Sequence, residues 1–186
     1  MGWLLVMCKN LLSITQRMKK IGLLSDTHSF LDPSIFKYFE ACDEIWHAGD
    51  IGKVEVVDQL EAFKPLRAVY GNIDGKELRI RFPEDLRFEC EGVNVWMTHI
   101  GGYPGRYNKR VRGIMEENPP DLFICGHSHI LKVMPDRKYN LLHMNPGACG
   151  HHGMHRMRTL LRFAIEAGNI QEVEVIELGK RGKLNS

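Results

Sequence analysis

Asp26 and His28 stand two residues apart, just beyond the apolar run Ile21-Gly22-Leu23-Leu24. In an extended chain, residues at i and i+2 share a face, so this carboxylate and imidazole project together. Such a pair suits a divalent metal of the Mn, Fe or Zn type. Taken alone it equally describes a strand ending in a polar turn, with Asp26 capping the next segment. Four further strand ends carry the same kinds of donor. These are Asp50 after Gly49, Asn72 after Gly71 with Asp74 two residues on, His99 after Thr98, and His127 and His129 after Gly126. Ligand sites in α/β sheets form beyond the carboxyl ends of strands, where successive turns converge. Glycine there permits a sharp turn and leaves room beside a bound group. Five clusters of Asp, Asn and His, with no Lys or Ser nucleophile among them, exceed what capping requires.

Read in order, Asp26-x-His28, Gly49-Asp50, Gly71-Asn72-x-Asp74, Thr98-His99 and Gly126-His127-x-His129 resemble the calcineurin-like metallophosphoesterases. Within that family the pattern is most similar to the small, single-domain bacterial and archaeal phosphodiesterase group. The resemblance covers about Lys19 to Leu178. It implies an α/β fold of two packed mixed β-sheets flanked by helices, an αββα sandwich. It also implies two divalent metal ions bridged by Asp50. Asp26, His28 and His129 would complete one site, and Asn72, His99 and His127 the other. Mn²⁺ is the first expectation; Fe, Zn²⁺ and Ni²⁺ suit the same donors. The implied activity is hydrolysis of a phosphate ester, a diester before a monoester, by in-line attack of a metal-bridging hydroxide with no covalent intermediate. Asp50 and Asn72 then belong to the catalytic machinery. Asp74 would hold a ligand from behind, or serve as an ordinary loop carboxylate.

Two departures touch the substrate side. Many relatives carry His after the Gly-Asn pair, where it assists the leaving group; here Ile73 and Asp74 follow, which leaves the general acid unassigned. Ile100 separates His99 from Gly101-Gly102. Arg106, just past that glycine-rich loop, is a candidate phosphate contact or a solvated helix start. His47 reads as a packed histidine or one that supports a ligand. His143, His151, His152 and His155 flank Asn145-Pro146-Gly147, a turn that also fits the family, and are expected as loop histidines.

The elements that must position these residues alternate at first. Strands are expected at Ile21–Leu24, Asp43–His47 and Pro65–Tyr70. Helices are expected from Asp32, as N-cap, to Ala41 and over Val54–Phe63. Asp85–Glu91 and Val93–Thr98 then form a hairpin through Glu91-Gly92. A helix follows over Arg106–Asn118, with strands at Asp121–Cys125, Lys132–Pro135 and Tyr139–Met144. Thr159–Glu166 and Gln171–Leu178 form a closing hairpin around Ala167-Gly168-Asn169. Met18 is a natural start for the first strand. Residues 1–17 are therefore read as an extension outside the fold, 18–179 as one domain, and 180–186 as a tail.

The 186 residues allow a substantial core, and 44% hydrophobic with 26% charged residues is ordinary for a globular protein. A formal net charge of +2, with no basic stripe interleaved with aromatics, offers no nucleic-acid surface. No apolar run approaches the roughly 18 residues that cross a bilayer. Five scattered cysteines, without a Cys-x-x-Cys pair, argue against a disulfide framework and for a reducing cytoplasm. The expected partner is a small phosphate-ester substrate, with no membrane and with a homo-oligomer open. The rival reading is a non-catalytic protein-binding scaffold on the same fold, as in the retromer subunit that resembles this family. A scaffold would be expected to have lost ligands, and here every position is filled.

Overall fold

The computed structural model describes residues 18–182. The expected extension over residues 1–17, and the tail beyond residue 182, lie outside the described residues.

The first sheet is built on β1 (Lys19–Leu24), β2 (Glu44–His47) and β3 (Leu66–Ala68), which run parallel. It is completed by the antiparallel pair β9 (Met157–Glu166) and β10 (Asn169–Lys180), in the order β10-β9-β1-β2-β3. The second sheet has parallel β5 (Val93–Thr98), β6 (Leu122–Ile124) and β8 (Leu141–Asn145). Antiparallel β4 (Asp85–Cys90) and β7 (Lys132–Asp136) form its edges, in the order β4-β5-β6-β8-β7. These are the two mixed sheets expected.

Strand alternation explains the layering. Ile21 and Leu23 of β1, Trp46 of β2, and Leu161, Phe163 and Ile165 of β9 bury one face of the first sheet. They meet Val93, Val95 and Met97 of β5, Leu122 and Ile124 of β6, and Met144 of β8. The opposite faces take helices. Leu24, Ile45 and Leu160 pack with Ile35 and Phe39 around α1 (Ser34–Tyr38) and with Val56, Val57 and Leu60 of α2 (Val54–Phe63). Trp96 and Phe123 pack with Val111 and Met115 of α4 (Lys109–Glu117).

Both hairpins turn through two consecutive left-handed residues, Glu91-Gly92 (φ 45° and 84°) and Ala167-Gly168 (φ 51° and 77°). That geometry matches the twist of the flanking strands. The two turns also touch, with Gly168 N–H donating to Glu91 O at 2.7 Å.

Several boundaries move, each for a local reason. The first helix spans Ser34–Tyr38 and not Asp32–Ala41; Asp32 caps from just ahead of it, accepting from Ser34 N–H at 2.9 Å. The fourth starts at Lys109 and not Arg106, because Asn108 is its N-cap and accepts from Val111 N–H at 2.8 Å. A short helix, α3 (Lys76–Arg81), buries Leu78 but has one turn and a half, too short for apolar periodicity to announce. The closing strand runs to Lys180 rather than Leu178.

Candidate metal centre

The carboxyl ends of β1, β2, β5 and β6 and the loop after β3 carry the expected donors, and the fold brings most of them together. Asp26 Oδ1 lies 3.1 Å from His129 Nε2 and 3.9 Å from His28 Nε2, with the two imidazole nitrogens 3.3 Å apart. A second group joins Asp50, His99 and His127; within each group the donor atoms lie inside 4.8 Å of one another. Asp50 stands between the groups. Its Oδ1 is 3.2 Å from His99 Nε2 and its Oδ2 is 3.7 Å from His28 Nε2.

This convergence is imposed on the backbone. Asp26, His28, Asp50, His127 and His129 all adopt φ between 46° and 66°, a region that non-glycine residues seldom occupy. Loop-to-loop hydrogen bonds hold them there. Asp26 N–H donates to Gly49 O and His28 N–H to Asp50 O, each at 3.0 Å, while Gly126 N–H donates to His99 O at 3.0 Å. Two of the glycines ahead of the donors allow close approach. A Cβ on Gly71 would lie 2.1 Å from Asp50 Oδ1, and one on Gly126 would lie 3.0 Å from Asp26 Oδ2.

The residues fit a cation. His99 Nδ1–H donates to Ala48 O at 2.8 Å, which leaves the neutral ring with its lone pair on Nε2, toward Asp50. That Nε2 and Asp26 Oδ1 are buried without a hydrogen-bond partner, an arrangement native proteins seldom leave unanswered. Burial works against the His99 imidazolium, but the carboxylates of Asp50 and Asp26 outweigh it and raise its pKa above the ordinary value. For His28, burial dominates and lowers the pKa despite Asp50 and Asp26; for His127, burial and the neighbouring His99 lower it. The lowered values at His28 and His127 favour the neutral imidazole that metal binding requires, whereas at His99 a cation would have to displace the proton that the carboxylates favour.

Other polar residues hold the loops that carry the donors. Asp74 is 3% exposed, and its carboxylate accepts from Gly71 N–H and Gly52 N–H, both at 2.7 Å. It thereby ties the loop after β3 to the loop after β2. His47 is fully buried; its Nδ1 accepts from Gly49 N–H at 3.1 Å, so its proton sits on Nε2, 3.0 Å from Thr27 Oγ1. Thr27 donates onward to Ile51 O at 2.9 Å. Burial pushes the His47 pKa down to about 4, which keeps this link neutral. Asn145 donates to Gly126 O at 2.8 Å and accepts from Gly147 N–H at 2.9 Å, bracing the loop of His127 and His129. The Asn145-Pro146-Gly147 turn was visible in the sequence; this bracing role was not.

The remaining expected residues fall as follows. Asn72 is exposed, and its neighbour Ile73 donates its N–H to Asp50 Oδ1 at 3.1 Å, so its backbone runs beside that carboxylate. Arg106 is exposed, with its N–H donating to Tyr103 O, and its guanidinium makes no hydrogen bond or ion pair among the described residues. His151 and His152 line a cleft beside His28, and the His155 ring lies 5.3 Å from that of His129. His143 instead lies buried between the second sheet and Tyr107.

No helix among the described residues is long and apolar enough to cross a membrane. Residues 18–168 match the family model described as the calcineurin-like phosphoesterase superfamily domain. A relative named "Probable metallophosphoesterase" from Methanothermobacter thermautotrophicus is 30% identical over 135 residues, 69% of this chain and 76% of that protein. One of similar name from Methanocaldococcus jannaschii is 29% identical over 134 residues, 69% of this chain and 67% of that protein. Among solved structures, one described as a novel archaeal phosphodiesterase superimposes with TM-score 0.69 at 23% identity, covering 86% of this chain and 99% of its own. A zinc complex of Vps29 from Entamoeba histolytica gives TM-score 0.65 at 14% identity, covering 88% of this chain and 99% of that one. At these identities the two structures speak for the fold alone.

Proposed function

This chain belongs to the calcineurin-like phosphoesterase superfamily, and from that premise we propose that it is a phosphodiesterase working with two divalent metal ions. The observation that carries the reading is Asp50, whose two carboxylate oxygens face histidines of different donor groups. A single carboxylate so placed is suited to bridging. In this reading Asp26, His28 and His129 hold one ion, His99, His127 and Asn72 the other, and Asp50 both. Bound divalent ions would supply Lewis acidity at the phosphoryl oxygens and a water made acidic enough to attack phosphorus near neutral pH. The chain's own part is to fix the donors. His99 is oriented by Ala48 O, and Asp74, His47 and Asn145 hold the three loops in register. With a metal-activated water as the attacking group, the reading needs no protein nucleophile. Asp, Asn and His accommodate several ions, of which this reading takes Mn²⁺ first, with Fe, Zn²⁺ and Ni²⁺ accepted by the same set.

Likeness in fold to Vps29 keeps the scaffold reading in view, but two convergent groups of Asp and His donors, with two buried unpartnered atoms among them, favour hydrolysis. The test is to strip the protein of metal and restore Mn²⁺, Zn²⁺, Fe²⁺ or Ni²⁺ singly, assaying bis(p-nitrophenyl) phosphate beside p-nitrophenyl phosphate. Metal-dependent turnover, faster on the diester and lost in Asp50→Ala, is expected. A metal-replete protein inert on both substrates would favour the scaffold.

A further inference from the structure

Beside His28 the surface opens into a cleft of about 340 Å³, walled by His28, Ser29, Phe30, Ile73, His151 and His152. Two of these walls are continuous with the donor groups. His28 belongs to the first group, and Ile73 gives its N–H to Asp50 Oδ1. A phosphate held at the donors would therefore have the cleft next to one of its ester substituents.

The cleft has an aromatic wall held in place. Phe30 is half-buried, with the Arg158 guanidinium 5.7 Å from its ring centroid. Arg158 is in turn paired with Asp32 at 2.7 Å. The His151 ring lies 4.2 Å from Phe30, tilted by 60°, and the His152 ring lies 4.7 Å from His28. Ile73 is 46% exposed and lines the same concavity. Among the described residues, no Lys or Arg side chain lines the cleft. Among the described side chains that line it, a substituent bearing a second phosphate would find no ammonium or guanidinium, whereas a flat apolar group would find a ring and an aliphatic side chain. The volume is at the low end of the roughly 300–1,000 Å³ typical of small-molecule sites.

We propose that this cleft receives an uncharged planar substituent, aryl or heteroaromatic, of the phosphodiester substrate, with Phe30 and Ile73 determining that preference. The inference rests on the phosphodiesterase reading above.

Phenylphosphonate and methylphosphonate share one metal-binding head and differ in the group that would enter the cleft. Titrated calorimetrically into the manganese-loaded full chain, phenylphosphonate is expected to bind about tenfold more tightly. Phe30→Ala and Ile73→Ala should each bring that ratio toward about twofold, the energy of the lost apolar contact. Ile73 is on the surface, so its variant reports on the cleft even if loss of Phe30 disturbs the fold. Equal affinities in the wild type, or a ratio that neither variant changes, would overturn the proposal. If methylphosphonate binds and bis(p-nitrophenyl) phosphate is turned over without any phenyl preference, the cleft assignment falls and the phosphodiesterase reading stands. If neither phosphonate binds and no metal restores turnover, both fall.

Discussion

At the scale of single residues, this protein concentrates unfavourable conformations where its chemistry would be. Five candidate ligands sit in left-handed backbone, and two candidate ligand atoms are buried without hydrogen-bond partners. Such strain persists only where the surroundings over-determine it. Asp74 is a main source of that determination, because each of its oxygens answers a backbone N–H on a different loop. Asp74→Ala leaves both donors unanswered and should cost roughly 2–4 kcal/mol in urea unfolding. Asp74→Asn should cost less, since one acceptor survives while the other becomes a donor facing an N–H. Both variants should also loosen metal binding, read as metal content after dialysis. Asp74 was singled out in the sequence through Gly71-Asn72-x-Asp74. Its partner Gly52 was not, because a contact across 22 residues leaves no trace in local spacing.

At the scale of elements, the strand-ending loops work as a set. Gly71 lies so close to Asp50 that a methyl group would press on both its carboxylate and its backbone nitrogen. Gly71→Ala should therefore displace Asp50 while leaving the parallel strands paired. A shift near 1 Å at a reacting centre can lower turnover about 10²-fold. Far-ultraviolet circular dichroism should stay unchanged while kcat falls by that order.

Strand β8 offers a separate test away from the metal centre. His143 is buried against Phe123 and Tyr107, neither ring nitrogen has a partner, and burial pushes its pKa down to about 4. Between pH 6.5 and 4 the unfolded chain takes up a proton that the folded chain refuses. Stability from this group is thus full above pH 6.5, declines as pH falls toward 4, and levels off below. The loss is on the order of 3 kcal/mol at its fullest. His143→Leu removes the titration and two orphaned nitrogens together, so its unfolding free energy should vary less with pH across that window. Equilibrium urea unfolding at pH 4.5 and 7 would read the difference. In the sequence His143 resembled its neighbours on the following loop; only strand alternation in β8 set it apart.

At the scale of the whole molecule, two sheets meet across one core and deliver their carboxyl ends to one edge. Asp26 and Asp50 come from the first sheet, and His99, His127 and His129 from the second. A cation held by these groups therefore fastens the sheets to each other. Saturating metal at about 100 times its dissociation constant stabilises by about 2.7 kcal/mol. For a domain of this size that corresponds to a fall in Tm of roughly 5–10 °C when a chelator removes the metal, measured by scanning calorimetry. Re-addition of Mn²⁺ should restore it.

The order of the five donor clusters, the strands before them and both hairpins were readable in the chain, because each depends on neighbours within a few residues. Apolar runs, alternation and Glu91-Gly92 or Ala167-Gly168 turns are local signals. The tertiary structure alone decided three things. It brought Asp50 between two sets of histidines, since that depends on the packing of two sheets across long sequence separations. It turned His47, Asp74 and Asn145 from ordinary polar residues into braces, since a hydrogen bond between loops has no sequence period. And it joined Phe30, Ile73 and two late histidines into one cleft beside His28, since concavity arises only once the loops have been folded against one another.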